Sequence, residues 1–131
     1  MKEPLWLTRA TVDDMHALEI AEHGGSRGVR NSHLIESALA RPQHVYAYDD
    51  KCDIATLAAA YAFGLAKNHG YIDGNKRTAF VAAYAFLNVN GYDIDPTSEA
   101  DVERRMVGVA SGKVTESELA AWLRSCMRKS A

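Results

Sequence analysis

The residues best equipped for chemistry in this chain are consecutive: His69-Gly70-Tyr71-Ile72-Asp73-Gly74-Asn75-Lys76-Arg77. Several have an architectural use when taken singly. His69 suits the carbonyl end of a helix, where a partly charged imidazole is welcome. Gly70 suits the left-handed residue that follows, Asp73 an N-cap, and Asn75 a turn. Lys76 and Arg77 do not fit that account. They fall in the first turn of a helix, where free amides and the macrodipole are already positive, so each cation opposes the dipole by about 0.3–1 kcal/mol. A sequence selected for stability alone places Asp or Glu there. The pair makes sense if an anion fills the site: Gly74 lets the backbone approach, the first-turn amides face the ligand, and Lys76 and Arg77 neutralise it. This is phosphate-binding logic without a Walker loop, because GxxxxGK[ST] is absent.

His69 lies a few residues upstream, across the loop from that anion site. Histidine changes charge near neutral pH and is the usual general base. Asp73 is placed either to ligate Mg²⁺ or to orient the imidazole. A base, a carboxylate and a phosphate clamp suffice for phosphoryl or nucleotidyl transfer, where positioning and charge neutralisation supply most of the catalysis. Other clusters are weaker. His16, Glu19 and His23 are spaced to share a helix face, but no HExxH or fourth ligand accompanies them, and an exposed polar face is the plainer reading. Arg27, Arg30 and Arg41 either extend the basic pocket or are solvated or cap carbonyls.

Helical elements must hold this segment. A first helix starts at Thr11 as cap, turns Met15 and Leu18 inward, and stops at Gly24-Gly25. Asn31 or Ser32 caps a second, which Pro42 ends near Arg41. Gln43 to Tyr48 then reads as extended, with Val45 and Ala47 on one face. Asp53 caps a third helix, Ile54 to about Asn68, and a fourth opens near Asn75 and closes at Gly91. Both are apolar nearly all round, so they belong at the centre of the fold as a hairpin joined by His69 to Gly74. Tyr92-Asp93-Ile94 is a short extended piece before Pro96. A fifth helix runs from Thr97 or Ser98 to about Ser111, and a sixth opens on a Thr115–Glu118 capping box and carries an apolar stripe of Leu119, Trp122, Leu123, Cys126 and Met127.

The bulk numbers agree with one helical domain across the 131 residues. Hydrophobic residues make up 47% and the formal net charge is -2, which argues against a surface built for direct nucleic-acid binding but leaves room for a local basic pocket. Cys52 and Cys126 have no metal-ligand spacing and read as reduced thiols of a cytoplasmic protein. The N-terminus lacks an apolar signal core, and the run Ile54 to Ala66 is too short to span a bilayer.

The nine-residue segment resembles the signature loop of the Fic/Doc superfamily, H-x-F-x-D-[GA]-N-K-R in its death-on-curing (Doc) branch. Gly28-Val29-Arg30, Glu36 through Gln43, Thr78-Ala79 and Asn90-Gly91 extend the resemblance over nearly the whole chain. It implies an all-α bundle of about six helices around a central hairpin, and a toxin of a toxin–antitoxin pair. Such toxins are kinases that use ATP and Mg²⁺ to phosphorylate a threonine of elongation factor Tu, arresting translation. A cognate antitoxin neutralises them by laying a C-terminal helical segment in a groove. Carried over, His69 takes the proton from the target hydroxyl and Asp73 holds Mg²⁺ or supports the histidine. Gly74 and Asn75 shape the anion cradle, the Asn75 side chain bonding a phosphate or the loop backbone. Lys76 and Arg77 bind phosphates. His44 to Tyr48 corresponds either to the flap that aligns a target strand or to an ordinary surface loop. Fic proteins that transfer AMP usually have glycine at Lys76 and a second arginine at Phe80; these departures favour phosphoryl over AMP transfer. Tyr71 stands where phenylalanine is commoner, a mild change if its hydroxyl finds a partner. A Fic-like AMP transferase and a non-catalytic antitoxin-binding corepressor are the competing readings.

Overall fold

The computed structural model describes residues 1–95 and 98–130. In these residues α1 (Arg9–His23), α2 (Ser32–Tyr48), α3 (Ile54–Asn68) and α4 (Asn75–Val89) are followed by β1 (Tyr92–Ile94), α5 (Glu99–Ser111), α6 (Glu116–Cys126) and β2 (Met127–Lys129). The fold is therefore all-α but for one small antiparallel ribbon, which pairs Tyr92 with Lys129 and Ile94 with Met127. No helix among the described residues is long and apolar enough to cross a membrane.

The all-round apolar pattern of α3 explains its place. Ala55, Leu57, Ala58, Ala59, Ala60, Tyr61, Ala62 and Ala66 are all buried, and α2, α4, α5 and α6 pack around it. Short alanine side chains let four neighbours approach one cylinder. Asp53 and Thr56 form a capping box at its start, and Arg124 of α6 clasps the same carboxylate at 2.7 Å. In α4, buried Phe86 meets Tyr61 of α3 at 4.9 Å and the N-terminal Trp6 at 5.9 Å between ring centroids. The Leu7 amide donates to the Tyr61 hydroxyl, so the only polar atom of that core ring is satisfied. Both cysteines are free.

Four expectations about these elements are corrected. Thr8, not Thr11, caps α1, its hydroxyl accepting from the Thr11 amide. The buried stripe of α1 is Val12, His16 and Ile20, while Leu18 is 68% exposed and Met15 half-buried. The phase was hidden because a histidine, satisfied across the fold, occupies the middle core position. Pro42 lies inside α2, and His44 to Tyr48 is helical rather than an extended flap. An interior proline forfeits about 3 kcal/mol. Against that, Pro42 is itself fully buried, Val45 packs on the core, and Tyr46 meets Trp6 edge-on at 5.7 Å. Finally Met127, assigned to the stripe of α6, opens β2. Of the two caps considered for α5, Thr97 lies outside the described residues, and the Ser98 hydroxyl accepts from the Asp101 amide.

Candidate active site

The loop between α3 and α4 is held by a few bonds within itself and by more from the preceding 13–31 stretch. His69 takes the left-handed conformation at φ +50° and closes α3 itself, where Gly70 was expected to do so. Gly70 is needed for another reason: a Cβ there would lie 2.3 Å from Ile35 Cγ1. Arg30 performs the carbonyl capping considered for it, donating from Nε to the His69 carbonyl at 2.7 Å and from Nη2 to that of Asn68 at 3.2 Å. Beside the loop, Gly28 to Asn31 runs antiparallel to it. Arg30 and Asn31 amides donate to the Gly70 carbonyl, and the Ile72 amide donates to that of Gly28. The extended segment next to the site is thus this one, not His44 to Tyr48.

Asn75 follows the second of the two roles considered for it. Its side chain is 7% exposed and staples the loop, Oδ1 accepting from the Tyr71 amide and Nδ2 donating to the Tyr71 carbonyl, both at 3.0 Å. Asp73 is exposed, and its two oxygens accept from the amides of Ser26 (3.2 Å) and Gly74 (2.9 Å). Those two amides, followed by the cations of Arg77 and Lys76, hold its carboxyl below the usual carboxylate range. It is an anion at neutral pH with outward lone pairs remaining, a hard oxygen donor suited to Mg²⁺. Gly74 is the N-cap of α4 at φ +74°, and no side chain caps the turn it opens. The other five helices are all capped, by Thr8, Asn31, Asp53, Ser98 and Thr115.

Lys76 and Arg77 are exposed and, among the described residues, neither forms an ion pair. Arg77 makes one long contact, Nη2 to the Gly24 carbonyl at 3.5 Å. With Asp73, Gly74 and Asn75 they line a cavity of about 780 Å³. Phe80, Val81, Val102 and Met106 of α4 and α5 supply apolar lining, and Glu19, His23, Asp93, Asp95, Glu99, Glu103 and Arg128 further charged and polar lining. This is the size of a small-molecule site. His69 does not line the cavity; it stands exposed at the other end of the loop.

Two contributors were not found by sequence reasoning. The Tyr71 hydroxyl donates to Asp13 of α1 at 2.6 Å. Burial, then Asp13, holds that phenol well above its ordinary range, so it stays a donor. The Tyr71 ring stacks on His16, centroids 3.8 Å apart. His16 Nε2 lies 2.8 Å from the Asp73 carbonyl, so His16 leaves the metal candidate set. Glu19 and His23 remain near each other and are joined by Glu22, with donor atoms within 4.8 Å. Arg41 pairs instead with Glu116, and Arg27 is exposed.

Residues 6–87 match the model of the Fic/DOC family. Over 82 residues, 62% of each protein, the chain is 44% identical to Toxin Doc of Mycolicibacterium smegmatis. Over 111 residues, 84% of this chain and 86% of the relative, it is 33% identical to Protein kinase doc of Escherichia phage P1.

Proposed function

The chain belongs to the Fic/DOC family, and from that premise we propose that it is a Doc-type toxin that transfers the terminal phosphoryl group of ATP to a protein hydroxyl. The observation that carries the reading is the start of α4: an uncapped turn behind Gly74, with Lys76 and Arg77 unpaired on a cavity wall. Among the described residues the turn has no side-chain cap and the two cations no salt bridge, Asp73 being the one carboxylate whose charge they are seen to stabilise, and a polyphosphate would supply the partner that is missing. The names of the two relatives, one a toxin and one a kinase, support the same direction.

In this reading the first-turn amides of α4, Lys76 and Arg77 bind the phosphates and offset the charge that spreads over the transferring group. Asp73 is the carboxylate that would hold Mg²⁺, and the ion, when bound, would supply further charge neutralisation. His69, exposed to an incoming chain, accepts the proton of the attacking hydroxyl. The target is a threonine of elongation factor Tu, and modification arrests translation in the cytoplasm. A cognate antitoxin neutralises the toxin by laying a helical segment in a groove.

The test is incubation of the protein with Mg²⁺, a cell extract and ATP labelled at either the γ- or the α-phosphate. Label from the γ-position alone, on one band that His69→Asn abolishes, is the expected result. Label from the α-position would make the chain an AMP transferase. No label from either, with antitoxin binding intact, would leave the corepressor reading.

A further inference from the structure

We propose that His16, held by Tyr71 and Asp13, is a positioning residue that fixes the Asp73–Gly74 peptide and so aims the turn that faces the phosphate. The activity arm of this inference rests on the phosphoryl-transfer reading; the structural arm does not.

His16 is 5% exposed in the middle of α1, between the core positions Val12 and Ile20. A carbonyl oxygen can only accept, so the 2.8 Å contact to Asp73 requires the hydrogen on Nε2. The same peptide unit has its other end occupied, because the Gly74 amide donates to Asp73 Oδ1. Both faces of that peptide are therefore committed, one to α1 and one to the carboxylate. The next amides along, Asn75 to Arg77, are the uncapped ones. Rotating the Asp73–Gly74 peptide swings those amides and the carboxylate together. Gly74, with no side chain to restrict it, offers little resistance of its own at φ +74°. The Asn75 staple fixes the loop at Tyr71 and the Ser26 amide holds the Asp73 carboxylate, but the side chain that holds the Asp73 carbonyl is His16.

The imidazole is itself fixed. Tyr71 lies nearly parallel to it, 8° between planes, and is tied by its hydroxyl to Asp13, one turn back on α1. Arg9 grips Asp13 at 3.0 Å and reaches Glu36 of α2 at 2.9 Å. A continuous bonded path thus runs from α2 through α1 to the loop, and the Tyr71 hydroxyl is the link that a phenylalanine would lack.

The experiment compares His16→Leu, His16→Gln and Tyr71→Phe with wild type by thermal melting, by the backbone amide chemical shifts of Gly74 to Arg77, and by kcat and half-saturating ATP in the transfer assay. His16→Leu keeps the size and loses the donor. It should move those shifts and lower kcat on the order of 10- to 100-fold, the cost of small misplacement, with little change in half-saturating ATP. His16→Gln, which retains an N–H donor, should recover much of both. Tyr71→Phe should fold, perturb the Gly74 shift and lower kcat by a smaller factor. Wild-type shifts and kcat in His16→Leu, or a Gln variant as impaired as Leu, would overturn the inference by making His16 a space-filler. Should His16→Leu fail to fold, an unmoved Gly74 shift in Tyr71→Phe overturns it equally. Absence of transfer by the wild-type protein sinks the kinase reading, while the shift contrast still decides the positioning role.

Discussion

His69 is the only non-glycine residue with positive φ among the described residues, and it sits at the C-cap of the most buried helix. A left-handed L-residue costs about 1–2 kcal/mol, and glycine is the usual occupant of such a position. A strained histidine beside a loop of charged residues is the pattern of a side chain kept for function. His69→Gly should therefore melt at the same temperature or higher, gaining up to about 1 kcal/mol after its own unfolded-chain entropy is counted, while transfer is lost. A clear drop in stability would make the imidazole structural. At this scale the segment His69 to Arg77 was legible because Lys76 and Arg77 contradict the dipole rule, an anomaly visible in one dimension. Asp13 and His16 were not legible: their partners lie 58 and 57 residues away, and nothing local distinguishes them from a polar helix face.

Among the helices, caps and pairings show what stability alone would have chosen for α4. At α3, Asp53 accepts from the Thr56 amide and hydroxyl and pairs with Arg124, which chiefly holds its carboxyl far below the ordinary range. A carboxyl depressed in the folded state stabilises fully above its unfolded value, about 4, and loses that contribution as the pH falls below it. Because both partners are about half exposed, the pair itself is worth little beyond the cap. Asp53→Ala should cost about 1 kcal/mol at neutral pH. Asp53→Asn, which still caps, should cost less and flatten the acid limb of urea-melt stability against pH; an unchanged limb would contradict the assignment. Helix identity was legible here from capping residues and apolar period. The end of α2 was not, because the burial of Pro42 and the packing of Tyr46 on Trp6 are tertiary facts that override a local breaker.

For the whole molecule, one helix surrounded by four is the frame that keeps the loop and the cavity wall in place. The all-round apolar pattern announced α3 as central; α4, read the same way, packs on α3 but leaves Lys76, Arg77, Tyr84, Asn88 and Val89 exposed, and the pattern did not show which rings would meet. Phe86 is fully buried between Trp6 and Tyr61, so it joins the N-terminal segment to the central pair. Phe86→Ala should cost about 3–5 kcal/mol, read as a fall in denaturation midpoint, and saturating ligand should restore part of it by mass action. That linkage returns to the unpaired charge on the cavity wall. The most direct measurement is calorimetric titration of Mg·ATP into wild type and into the Lys76→Ala, Arg77→Ala double variant, each first shown to melt alike without ligand. Saturable binding by the wild type, weakened at least about tenfold by removal of two charge-assisted contacts, is the predicted result; equal affinity in both proteins, or none in either, would contradict it.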